Sequence, residues 1–486
     1  MPAGSKLHLC VQIVLAVLSF LSLFVIMVMP DRHLFFLSGL PRIVFAPFFM
    51  VVIAAIVFLS SLFLCASWKN WTKGSFKEFA LNNAPLLVFC LFNILFVAIA
   101  FLHVEFLNPE AFSSHPRWWL SFFFLQLAIP CAWYLGRCSS WTGTKALGVV
   151  LVASASIMVA LQLSEYLHLS GYANPVGAWL KSINLGNSPF SIWTWQYPES
   201  VRAQGLGRFP AAYSFVALIL CCWALSGQGL RNLRMAGLIL AMLVLYLSGT
   251  RTALFAIVII GIVLLCILIK RRGLFSWIKR NAKQIVVGSA ILFALTGSIY
   301  WLTGAENFGR NMPLLTSENE QAIVDSSMKS TIVGDEDVSS QSQTSDIFYQ
   351  ISSGRTEIWQ EALGEIRNSP LGIWKHSSTV LTYGSHPHSD TLDRLLTAGP
   401  VSLFFYLWFV WWLAFRAYSP LASNYPPLFA VAIVASGLFE TVFSQMVFVP
   451  AGFFILGFLS SAKTVFPVFD RRAPHSAESS SCTGEK

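Results

Sequence analysis

Long apolar runs recur along the chain between shorter polar stretches, and that alternation predicts a helical protein throughout. The runs lie near 8–29, 45–64, 86–104, 118–136, 146–164, 210–226, 235–249, 253–270, 285–303, 397–415, 428–442 and 446–462. Most approach the roughly 17–25 residues that carry a helix across a bilayer. The expected architecture is an all-α polytopic membrane protein with about twelve transmembrane helices and a large outer loop containing short amphipathic helices. Nine spans fill residues 1–303, interrupted by an outer loop at 165–209, and three more fill 397–465.

Between them, at 304–396, the period changes. Gly304 to Gln350 is acidic and Ser-rich and offers no apolar face, so a mobile insert is expected over 304–350. The part at 351–396 is expected to be helical. Ile358, Trp359, Ala362, Leu363 and Ile366 recur at the spacing of an amphipathic helix, which Ser352 or Ser353 can cap and Asn368-Ser369-Pro370 stops. Gly384-Ser385-His386-Pro387-His388 then reads as a rigid turn. A short second helix follows, with Asp390 as its N-cap, and Gly399-Pro400 ends it at the mouth of the next span. His388 thus precedes a helix N-terminus, where partial positive charge favours anions and disfavours an imidazolium. The tail at 466–486 reads as disordered and cytoplasmic.

Composition agrees with the pattern. Hydrophobic residues make up 55% of the chain and charged ones 11%, and mean hydropathy is +0.64. A soluble protein of this size needs far more charge to cover its surface. The net charge of +9 is scattered over loops, which argues for membrane topology and against nucleic-acid binding. With the N-terminus inside, 19 of the 32 Lys and Arg fall on the inner side, and 19 of the 23 carboxylates fall outside. That asymmetry sets the orientation. The first apolar run has no small-residue cleavage site after it and reads as a retained span. No outer loop pairs two of the nine cysteines, and none has His or Cys at metal-ligand spacing.

Charged side chains are nearly absent from the middles of these spans, which disfavours an ion-coupled transporter. Polar groups gather at the outer ends instead. Arg202 and Arg208 lie in the stretch entering the sixth span, Arg251 lies in the tight outer turn between the seventh and eighth, and Arg355 opens the amphipathic helix. Several guanidinium forks converging on one outer cleft can clamp a diphosphate in a way that lysine cannot. Each Arg taken alone also reads as a snorkelling anchor. Arg251 is the harder one to dismiss, because a cation in an outer turn opposes the inside bias. His388 reads equally as a turn histidine or a general base. Tyr172, Trp179, Trp193, Trp195 and Tyr197 can stack on sugars, although an interfacial aromatic belt explains them as well. Asp335-Glu336-Asp337 reads as solvated linker.

Three pieces carry a resemblance: RAQGLGRFPAAYSF, LSGTRTAL, and GRTEIWQEALGEIRNSPLGIW through GSHPHSDTLDRLLTAGP. They are similar to the O-antigen ligase and polysaccharide polymerase superfamily of bacterial envelope glycosyltransferases. In its ligases a His followed by Asn, Ser or Gln, nine residues and Gly is the signature, and His388, Ser389 and Gly399 satisfy it. Two departures stand out. The ligase form places Gly, Thr or Tyr where this chain has Ser402, and many members have a second Gly in the Pro-Leu-Gly stretch. Polymerase and ligase both stay open, with Ser402 tipping the reading toward polymerase.

The resemblance implies a GT-C-type transferase at the outer face of the inner membrane. Its donor would be a glycan on undecaprenyl diphosphate, and its acceptor a glycan or lipid A-core hydroxyl. His388 would be the general base, and Arg251 and Arg355, within the cluster that includes Arg202 and Arg208, would hold the diphosphate. It implies no metal and no cofactor; membrane lipid and other polysaccharide assembly proteins would be its companions. Two alternatives remain: a lipid-linked oligosaccharide flippase or other carrier, and a non-catalytic assembly factor.

Overall fold

The computed structural model describes residues 3–30, 44–64, 83–107, 116–185, 203–207, 210–270, 274–303, 355–374, 380–381, 387–416, 424–438 and 448–460. Among these the chain forms fourteen α-helices: α1 (Ala3–Val28), α2 (Phe45–Leu64), α3 (Ala84–Leu107), α4 (Pro116–Ser139), α5 (Thr144–Leu169), α6 (Pro175–Leu185), α7 (Pro210–Leu225), α8 (Arg231–Ser248), α9 (Arg251–Lys270), α10 (Leu274–Thr303), α11 (Arg355–Asn368), α12 (Asp390–Trp411), α13 (Tyr425–Gly437) and α14 (Phe448–Ser460). Within the described residues six helices are long and apolar enough to cross a membrane: α1, α5, α8, α9, α10, and α12 with its π-helical extension Trp412–Arg416. α2, α3, α7, α13 and α14 contribute shorter apolar stretches. The expected insert at 304–350 and the tail at 466–486 lie outside the described residues.

Local chemistry starts and stops these helices. Pro116, Pro175 and Pro210 occupy the first positions of α4, α6 and α7, where a missing N–H costs nothing. Asn174 caps α6 by accepting the Val176 and Gly177 N–H groups at 3.0 and 3.1 Å. Gly249 takes φ +57° to end α8 and donates to Leu245 O at 3.1 Å. α10 and α12 begin well before the apolar runs near 285 and 397, at Leu274 and Asp390. Lys279, Arg280 and Lys283 in α10, and Asp390, Asp393 and Arg394 in α12, lower the hydropathy ahead of those runs while the backbone stays helical.

α7 is the axis of the bundle, because residues 212–224 are buried on every side. A helix apolar all round belongs in such a place. α14 is equally enclosed, whereas α10 leaves Val286, Phe293 and Trp301 exposed along its length. α4 and α14 meet backbone on backbone. A Cβ added at Gly136 would land on Phe454 O, and one at Gly457 on Trp133 O. Small residues permit such close approach between membrane helices. Gly136→Val or Gly457→Val is expected to destabilise the bundle by about 3 kcal/mol or more, through overpacking. The measurement is the thermal midpoint in detergent; wild-type values for both variants would show that the two helices do not meet there.

Candidate functional site

The turn that carries His388 is gripped from two directions. Trp359, on the buried side of α11, donates its Nε1–H to Pro387 O at 2.5 Å. On the far side Ser389 is extended at φ −151° and forms the N-cap of α12, with Asp393 N–H donating to Ser389 O at 2.8 Å. Asp390, expected as the cap, is instead the first helical residue; its side chain turns inward, 2% exposed. Between the two grips His388 is half-buried at φ +48°, in the left-handed region. That conformation costs a residue with a Cβ about 1–3 kcal/mol and persists where its surroundings over-determine it.

The two ends of the third sequence piece touch. Helical geometry breaks at Ala398 and Gly399, so α12 comprises a short first helix and a longer second one, as Gly399-Pro400 foretold. Gly372 crosses at that break: its Cβ would stand 2.5 Å from Gly399 N, and a Cβ on Gly399 would stand 2.5 Å from Leu371 O. Both glycines have positive φ, +88° and +67°. Beside them Ile373 N–H donates to Leu396 O at 2.9 Å, and Trp374 N–H to Thr397 O at 2.7 Å. Ala362, Leu381 and Leu396 close the seam with Ile358, Ile366 and Ile373. The amphipathic face of α11 is thereby spent on α12.

Beneath this turn lies a buried polar ladder. Arg394, one turn after Asp390 and 7% exposed, donates from Nη1 to Asn93 Oδ1 on α3 at 3.2 Å and to Ser402 Oγ at 3.4 Å. Asn93 in turn donates to Gln126 Oε1 on α4 at 2.9 Å. The guanidinium sits over the Phe89 and Tyr406 rings, 4.9 and 4.8 Å from their centroids. Asp390 packs on α13, where a Cβ at Gly437 would come within 2.9 Å of Oδ2. Ser402, the departure from the ligase signature, thus accepts a bond from Arg394. These charges sit toward helix ends, Asp390 and Arg394 ahead of the break in α12, not at the middles of the spans. Glu165, 1% exposed on α5, is a third case.

The other two sequence pieces also meet. Ala203 N–H donates to Leu247 O at 3.0 Å, and the Ser214 and Ser248 hydroxyls are hydrogen-bonded to each other. The segment 203–207 thereby lies against the end of α8, immediately before the Gly249-Thr250 turn. Arg251 is the first residue of α9, and Arg355 the first of α11. Their side chains are not among the described ones. Arg202, Arg208 and His386 lie outside the described residues altogether. The two assemblies are linked through α13, which packs against both α9 and α12. Of the aromatic candidates, Tyr172 and Trp179 are exposed; Trp193, Trp195 and Tyr197 lie outside the described residues.

Sequence reasoning passed over Asn93, Gln126, Glu165 and Arg394, and gave Asp390 only a capping role. For two of them a signal existed: Asn93 and Gln126 are lone amides inside otherwise apolar runs, where a polar group needs a partner.

A bundle of apolar helices with a buried polar ladder beneath the His388 turn defines a multi-pass membrane protein. Residues 236–407 match the family model described as O-antigen ligase, a region that holds Arg251, Arg355, His388 and Gly399 together. The matched segment, 172 of the 486 residues, is similar to that family. A search of curated proteins finds no match.

Proposed function

We propose that this protein transfers or polymerises a glycan from an undecaprenyl-diphosphate-linked donor onto an acceptor hydroxyl at the periplasmic face of the inner membrane. About twelve crossings with the N-terminus inside set that orientation. His388 takes the proton from the attacking hydroxyl as general base. Arg251 and Arg355, with Arg202 and Arg208, hold the diphosphate and stabilise the charge that develops as it leaves, without a metal. The observation that carries the reading is the His388 turn, locked between Trp359 and the start of α12 within the family-matched region. A left-handed histidine ahead of a helix start is a conformation that α11 and α12 jointly maintain, as expected of a side chain whose position matters more than its backbone comfort.

The experiment is to delete the gene and identify what accumulates on the lipid carrier. Single repeat units left on undecaprenyl diphosphate, in the periplasmic leaflet, indicate a polymerase; long chains left there indicate a ligase. Donor confined to the cytoplasmic leaflet would favour the flippase instead. An unchanged lipid-linked pool with normal finished glycan would refute the transferase reading.

A further inference from the structure

A carboxylate buried among apolar helices needs compensating donors or a counter-charge. Glu165 finds donors in the loop that follows α6. Its Oε2 accepts two consecutive backbone N–H groups, from Gln204 and Gly205, each at 2.6 Å. Consecutive N–H groups of this kind form a small anion-binding nest, and here the anion is internal. Gly205 takes φ +58° to complete it, and a Cβ there would stand 2.5 Å from the Tyr213 ring. Around this contact the other loop residues are tied as well. Gln162, one turn earlier on α5, donates from Nε2 to Ala203 O at 3.1 Å. Tyr213 on α7 accepts from Leu206 N–H at 3.1 Å and donates to Val28 O, at the end of α1, at 2.6 Å.

Every residue from Ala203 to Leu206 is therefore bonded to a helix, and the Ala203 N–H bond fixes the loop to α8 four residues before Arg251. In sequence, Arg202 immediately precedes this clamped segment, and Arg208 follows it after Gly207. We infer that Glu165 is a positioning residue for the diphosphate site, its buried carboxylate holding the 203–206 loop against the end of α8, just before the turn that leads into Arg251. The inference rests on the donor proposed above. Glu165 itself touches no substrate; it acts through the backbone between two arginines.

The test uses the full-length protein in nanodiscs with undecaprenyl diphosphate as the probe and undecaprenyl monophosphate as the comparison. Glu165→Gln keeps the shape, removes the charge and turns an amide toward the nest. It is expected to weaken diphosphate binding about tenfold or more, the scale of charge-assisted hydrogen bonds, while its thermal midpoint and elution stay close to wild type. In a transfer assay KM for the donor rises by a similar factor and kcat changes far less. Should Glu165→Gln fail to fold, Glu165→Asp keeps the charge, shortens the reach by one methylene and is read against the same expectations. Wild-type binding with an equally tight variant would overturn this inference alone, as would a fall in kcat at constant KM. A wild-type protein that does not distinguish diphosphate from monophosphate overturns the diphosphate donor, and this inference with it.

Discussion

His388→Ala is expected to reduce glycan transfer by about 10²–10⁴-fold, the usual contribution of a positioned general base. The protein should still insert and accumulate, because the turn is held by Trp359 and the start of α12, not by the imidazole alone. His388→Gly sharpens the test. Glycine adopts a positive φ without penalty, so this variant relieves the backbone at +48° yet lacks the base. It should be at least as stable as wild type and equally inactive. His386→Ala should keep substantial activity, since the proposed base is His388. Membrane levels by immunoblot, read with lipid-linked donor and finished glycan, decide the matter. Normal product from His388→Ala, or inactivity confined to His386→Ala, would remove His388 from the base role.

Arg394→Ala is expected to cost on the order of 3–5 kcal/mol, as breaking a buried, bonded charge does. The substitution strips a partner from Asn93 and Ser402 and leaves a void between the Phe89 and Tyr406 rings. Arg394→Lys should fall between wild type and alanine, since an ammonium keeps the charge but cannot lie flat between two rings. The readout is monodisperse protein recovered from membranes and its thermal midpoint. If alanine and wild type melt together, α12 is not anchored to α3 through this residue.

The amphipathic helix over 355–368 and the break at Gly399-Pro400 were legible because both rest on local chemistry, a 3.6-residue period and a Gly-Pro pair. The burial of Asp390 and Arg394 was not, although the short helix that carries them was expected, with Asp390 as its cap. What makes Arg394 a bundle residue is Asn93, 301 positions upstream. Glu165 hid for the same reason. Hydropathy closes the fifth span at 164, whereas the helix runs to Leu169, and the donors that make burial of the carboxylate tolerable belong to Gln204 and Gly205. The cap of α12 went to Ser389 because Asp390 is needed inside. Long-range satisfaction of polar groups, in each case, is invisible to a sliding window.

The seam between residues 371–374 and the break in α12 is built from main-chain groups and two glycines. Such a seam depends on the apolar face of α11 that covers it and is indifferent to the side chains that face away. With Gly372, Gly399 and Trp359 retained, the outward positions of α11, among them Glu357, Gln360, Leu363 and Arg367, are free to diversify without moving the histidine. The segment behaves as an exchangeable cartridge. Chimaeras that take 355–374 from another chain matching the same family model, and keep those three residues with an apolar inner face at 358, 362, 366 and 373, should dock in the same register.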